Sequence, residues 1–179
     1  VTAITPETRL PEADTPSHKR SLILLVAGIL AMVVGFGAMA GGVFGAWYTW
    51  DQAVAQDVTT PDDAVIPDTP VRGPFTMWAQ SDIITHHQLD NTDGLYYSQM
   101  DRMVPAVDDS GQAVLDENGE AVMVPNEARA SWLNATTLTT ALNLGIVSYA
   151  LAAFAFVTGL TLVAVGFVFL HIRRKAVLL

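Results

Sequence analysis

His86 and His87 are the side chains best suited to holding a metal, with Asp82 and Asp90 each four residues from His86. Neighbouring residues on a helix point about 100° apart, so the two rings cannot readily share one ion, and distant carboxylates would have to complete the site. No metal is therefore expected. The carboxylates of Asp108, Asp109, Asp116, Glu117 and Glu120 invite a calcium reading, but the D-x-[DN]-x-[DN]-G spacing and its distal glutamate are missing. The sequence contains no cysteine, which removes disulfides, thiolate metal sites, iron–sulfur clusters and a cysteine nucleophile. Asn134-Ala135-Thr136 matches a glycosylation sequon by pattern alone. The expectation is a non-enzymatic chain with no catalytic residues, no cofactor and no resident metal.

The elements that would position these residues follow from where charge is absent. The chain has 179 residues, 51% hydrophobic and only 15% charged, with net charge −9. Its pI near 4.6 makes nucleic acid a poor partner. No charged residue occurs from Ser21 to Trp50, or from Ala130 to Ile172. Runs of 30 and 43 residues exceed the roughly 20 that a helix needs to cross a bilayer. Neither run holds an Asp, Glu, Lys, Arg or His at hydrocarbon depth, His171 lying at the inner boundary. Proton relays and ion pathways need such groups, and a haem between helices needs axial ligands there. Ala38-Met39-Ala40 resembles a signal-peptidase site. Apolar and aromatic sequence nevertheless continues through Phe44, Trp47, Tyr48 and Trp50, which predicts an uncleaved anchor with an interfacial aromatic belt.

Orientation is read from the flanks. Lys19 and Arg20 precede the first run and Arg173, Arg174 and Lys175 follow the second, whereas Asp51–Arg129 carries fifteen acids against three bases. The positive-inside rule puts both termini in the cytoplasm and the intervening loop outside the plasma membrane. The fold class expected is an all-α membrane protein: a two-span transmembrane helical hairpin with a partly helical, partly β-turn acidic extracytoplasmic loop. Its parts are a disordered cytoplasmic tail over 1–20, a first transmembrane helix over 21–50 and the loop over 51–129. A second transmembrane helix with an extracytoplasmic extension covers 130–172, and a basic cytoplasmic tail covers 173–179.

Gly37, Gly41 and Gly45 form a double G-x-x-x-G, flanked by Ala38, Gly42 and Ala46 at the same spacing. In lipid such a face lets another backbone approach closely, so these six residues are the expected helix-packing interface. The second run carries weaker pairs: Ala141 and Gly145, Ser148 and Ala152, Ala155 and Gly159. Packing within the hairpin and packing on a separate membrane protein both remain open. In the loop, Gln52–Pro70 reads as an extended, proline-dotted connection. Pro74 then opens a short amphipathic helix near 74–90, which Asn91–Gly94 would end. Phe75, Trp78, His86, His87, Tyr96 and Tyr97 are its candidates for contact with an external partner. Residues 108–115 are echoed by 116–123, and Ser110-Gly111 and Asn118-Gly119 suggest type I′ turns of a solvated β-meander. Asn126 can cap a long second helix, with Glu127 in its first turn and Trp132 and Leu133 available for packing.

The order of Gly73-Pro74-Phe75-Thr76, Ala79-Gln80, Asp82-Ile83-Ile84, His86-His87, Thr92, Gly94 and Tyr96 between two spans resembles a family of small actinobacterial membrane proteins often labelled aromatic ring-opening dioxygenase. It is similar, too, to the respiratory supercomplex association factors, which join a cytochrome bcc complex to an aa3-type oxidase. The resemblance covers about half the chain, and the echo at 108–123 has no counterpart in the compact loop of that family. It implies a non-catalytic accessory subunit whose partners are cytochrome bcc and cytochrome c oxidase subunits together with membrane lipids. The residues offer no iron-ligand set for a dioxygenase. The loop's net charge of −12 would attract a basic partner, such as a cytochrome c domain, by long-range steering. The alternative is a membrane-anchored extracytoplasmic sensor or ligand-binding module. That would need a pocket, and the loop holds few apolar residues with which to build one.

Overall fold

The computed structural model describes residues 16–177, with side chains from Arg20 to Lys175. The tail expected over 1–20 lies, up to residue 15, outside the described residues, as do 178 and 179 of the basic tail. Three helices dominate: α1 (Pro16–Ala55), α2 (Pro74–Asp90) and α3 (Glu127–Val177). A 3-10 turn at Tyr97–Gln99 and two short strands, β1 (Met103–Pro105) and β2 (Met123–Pro125), lie between α2 and α3.

Both α1 and α3 are long and apolar enough to cross a membrane. Only 11% and 17% of their most apolar stretches is buried, whereas the core helix of a soluble domain would be mostly covered. Leu22, Ile23, Phe36, Phe154 and Phe167 are among the large apolar side chains left exposed. Apolar surface on this scale suits a lipid environment or a partner, not water.

The chain divides into two compact units, Val1–Phe44 with Ala152–Leu179 and Gly45–Leu151. In the described part of the first, α1 and α3 run antiparallel along a seam of small residues. Gly28 lies against Gly166, Gly35 against Gly159, and Gly42 against Ala152. Each series advances by seven residues in opposite directions, the period of helices wrapped about one another. The approach is backbone to backbone: a Cβ on Gly35 would sit 2.7 Å from Gly159 O, and one on Gly159 would sit 2.5 Å from Gly35 O. Near the far end, Arg173 Nε donates to Ser21 Oγ at 3.3 Å.

In the second unit α1 ends at Ala55, and Asp57 takes a left-handed conformation with φ 48°. Residues 58–71 then form a compact loop rather than an extended connection. Val71 N donates to Val58 O and Thr60 N donates to Thr69 O. Thr60, 1% exposed, receives Thr69 N at 3.0 Å on a hydroxyl that lies 2.6 Å from Ile66 O. A threonine at this point supplies both a donor and an acceptor to backbone that is closed off from water. Pro74 occupies the first turn of α2, and Thr76 Oγ1 accepts from the backbone N–H groups of Arg72 and Gly73. Met77, Ala79 and Ile83 are buried, and Gln88 Nε2 donates to Ser131 Oγ at 2.6 Å, tying α2 to α3. Asn126 Oδ1 accepts from Arg129 N at the start of α3. Glu127 in its first turn and Arg174 and Lys175 in its last match the helix dipole at both ends.

Candidate functional site

The six small residues of α1 do not share one environment. Gly42 is buried in the seam, where an added Cβ would lie 2.5 Å from Ala152 O and 2.9 Å from Phe156 N. Ala38, Gly45 and Ala46 are half-buried, while Gly37 and Gly41 are exposed and meet nothing within 4 Å. The helix therefore carries two small-residue faces: a seven-residue one that closes on α3, and a four-residue one at Gly37 and Gly41 that stays open. The sequence reading named the second face, and of the first it named Gly42, Ala152 and Gly159 but not Gly28, Gly35 or Gly166. The signal for the seam was the recurrence of Gly28, Gly35 and Gly42 alongside Ala152, Gly159 and Gly166.

The candidate contact residues of the loop also divide. Phe75 and Trp78 project from α2 with exposures of 76% and 48%. His86 lies 3.6 Å from Asp90 on the same helix, whereas His87 Nε2 donates to Asp63 Oδ2 at 2.6 Å, holding the 58–71 loop against α2. Tyr96 packs at 5.4 Å, centroid to centroid, against Trp132, and the Arg129 guanidinium stacks over Tyr97 at 3.8 Å. No group of three or more potential metal ligands occurs among the described residues.

The hydrogen bond from His87, helped by the imidazole's charge when it is protonated, holds the Asp63 carboxyl below its ordinary value of 3.8. A lowered carboxylate contributes stability above that ordinary value and loses it as pH falls through the lowered one. The substitution His87→Ala is expected to return Asp63 to the ordinary carboxylate range, read by an NMR pH titration of its side-chain carboxyl carbon. An unchanged titration would show that the contact does not form in solution.

The acidic echo is a three-armed β structure. Val107–Ala113 and Leu115–Ala121 close two arms, and the β1–β2 ladder, with Val104 opposite Val124, makes the third. At the centre, Val114 N donates to Ala106 O, Val122 N to Val114 O, and Ala106 N to Val122 O, a closed cycle of three backbone hydrogen bonds. The eight-residue repeat thus places equivalent residues at equivalent points of the cycle. In each arm an aspartate organises its own turn. Asp108 Oδ1 accepts from Ser110 N and Gln112 N, and Asp116 Oδ1 accepts from Asn118 N and Glu120 N. Those bonds lower both carboxyls, the Ser110 side chain acting most strongly on Asp108 and the Glu120 backbone on Asp116. Only Gly111 and Gly119 are left-handed in these turns. Type I′ turns require two such residues, so each arm is instead a longer loop completed by one glycine. Val107, Leu115 and Met123, also eight residues apart, remain exposed beside Asp109 and Glu117.

A cavity of about 620 Å³ lies within the second unit. Its apolar wall includes Met77 and Ile84 of α2 and Leu138 and Leu142 of α3, and Gln52, Gln56 and Gln80 supply polar groups. The loop alone holds few apolar residues for such a space, and it does not need them, because the continuations of α1 and α3 provide much of the lining. Gln80 Oε1 is shielded from water and has no hydrogen-bond partner. Comparison with protein-family models, curated proteins and solved structures gives no match to this chain.

Proposed function

We propose that the chain is a non-catalytic accessory subunit of an actinobacterial respiratory supercomplex, held in the plasma membrane by α1 and α3 with both termini cytoplasmic and the acidic loop outside. It would stabilise or assemble the cytochrome bcc complex with an aa3-type cytochrome c oxidase by contact rather than chemistry. One observation carries this reading above the sequence resemblance. After the hairpin seam has used Gly28, Gly35 and Gly42, a second small-residue face remains open at Gly37 and Gly41. Close packing, not apolarity, drives helices together in lipid, so an unfilled smooth face is the feature a neighbouring membrane subunit would use. Phe75, Trp78 and the acidic three-armed loop extend the contact outside the bilayer. The loop's charge favours a basic domain there, with an attraction that weakens as salt rises.

The substitution Gly41→Leu tests this reading. It should leave the chain folded yet lower its co-purification with oxidase and bcc subunits from mild-detergent membranes by several-fold. Recovery at wild-type stoichiometry would overturn the assignment of this face. The cavity supports a second reading, a membrane-anchored extracytoplasmic ligand-binding module.

A further inference from the structure

We infer that the three-armed structure docks a basic protein surface with an apolar centre, through one face made by Pro105, Val107, Ala113, Leu115, Ala121 and Met123. This face deepens the contact reading above and rests on it, assigning the part of the loop that meets the partner and the chemistry met there. Side chains of residues paired across neighbouring strands lie on the same side, and so do those of residues two apart along one strand. Val107 pairs with Ala113, Leu115 with Ala121, and Met123 with Pro105. Residues 105 and 107, 113 and 115, and 121 and 123 are each two apart. Pairs and steps close into a ring, so all six side chains stand on one side. Every one of them is exposed, with Val107 at 65%, Leu115 at 60% and Met123 at 49%. On the opposite side Val104, Ala106 and Val124 are half-buried. One side is thus partly covered by the protein, and the other is left open without a charged side chain.

A contiguous exposed apolar patch marks an interaction site, and an apolar centre within a polar rim is the anatomy of protein contacts. The rim decides the occupant. Residues 103–125 hold five carboxylates, at Asp108, Asp109, Asp116, Glu117 and Glu120, and no basic residue. All five belong to the turns that close two of the arms, between Val107 and Ala113 and between Leu115 and Ala121. Asp109, Glu117 and Glu120 form no salt bridge among the described residues. A second copy of this chain would bring five like charges against five, and anionic lipid headgroups and nucleic acid are repelled in the same way. Lysines or arginines around an apolar centre meet both parts of the face, the charge steering the approach and the centre excluding water.

The test places the photoreactive residue benzoylphenylalanine at position 115 of the full chain, irradiates native membranes and identifies crosslinked peptides by mass spectrometry. Crosslinks are expected to peptides of another protein that carry several lysines or arginines, and raised salt should weaken them. They should fall about tenfold in the double variant Asp109→Lys with Glu117→Lys, which reverses the steering charge. In Val107→Ser with Met123→Ser, which keeps every charge, they should fall several-fold. Both variants spare Asp108 and Asp116, whose hydrogen bonds organise the turns. Crosslinks to a second copy or to lipid, none beyond the chain itself, or crosslinking unchanged by the charge reversal would overturn the face. A basic partner that is neither a bcc nor an oxidase subunit would support the face and overturn the supercomplex reading. Crosslinks to those subunits from position 41 with none from position 115 would do the reverse.

Discussion

The substitution Gly42→Leu is expected to prevent stable accumulation of the protein, while Gly41→Leu, one residue away, accumulates near the wild-type level. At Gly42 the obstacle begins with the first side-chain atom, which would lie 2.5 Å from Ala152 O and 2.9 Å from Phe156 N. These are backbone atoms of a regular helix and cannot rotate aside, so α3 itself would have to move. Overpacking in a well-filled interior typically costs about 1–3 kcal/mol. Here the displacement would also open the adjoining Gly35–Gly159 contact. In the proposed bilayer setting no hydrophobic force would return the helices to one another, and the lost close packing would have no substitute.

Alanine makes the comparison sharper. Intrinsic propensity favours alanine over glycine within a helix by about 1 kcal/mol, so Gly37→Ala and Gly41→Ala should be neutral or mildly stabilising. Gly42→Ala should destabilise in spite of that gain, because its only added heavy atom is the one that collides. Thermal unfolding in mild detergent, followed by far-UV circular dichroism, together with membrane yield, reads both series. Equal melting of the position-41 and position-42 variants would show that the seam is misplaced.

The seam also shows what local sequence can and cannot carry. Two long apolar helices are legible because charge segregation runs along one dimension: thirty uncharged positions and then forty-three need no partner to be recognised. The start of α2 is written in Gly73-Pro74, since proline at a first helical turn loses no hydrogen bond. Which glycine face closes on α3 is a different kind of fact. Gly37, Gly41 and Gly45 form the denser local pattern, yet the pairing is decided by register between residues more than a hundred positions apart. The same applies to the three-armed loop, where the repeat at 108–123 is plain but its closure depends on Ala106 meeting Val122. The cavity is least legible of all. Its wall is assembled from α1, the 58–71 loop, α2 and α3, and no single segment is apolar enough to announce it.

The second large effect is expected at Trp132, one of the few large side chains buried in the second unit. It is 7% exposed, its Nε1 donates to Leu95 O at 3.0 Å, and its ring lies 5.4 Å from that of Tyr96. Truncating a buried tryptophan to alanine costs about 3–5 kcal/mol. In this case it also removes a hydrogen bond from a segment whose only regular structure is the 3-10 turn at Tyr97–Gln99. The loss should therefore be local before it is global. Amides whose bonds shape the 92–99 segment, Gly94 to Leu89 O, Leu95 to Thr92 O and Gln99 to Tyr96 O, should exchange with deuterium much faster in Trp132→Ala. Trp132→Phe keeps most of the ring contact and forfeits only the indole hydrogen bond, worth about 1 kcal/mol, so it should fall between. Leu133→Ala, at a position 55% exposed, should stay within about 0.5 kcal/mol of wild type. Exchange in Trp132→Ala no faster than in Leu133→Ala would show that this packing does not hold the segment. The same variant separates the two parts of the proposed contact. Gly37 and Gly41 are untouched by it, whereas Tyr96 loses the ring it packs on, so a fall in partner recovery would belong to the loop between α2 and α3 and not to the open glycine face.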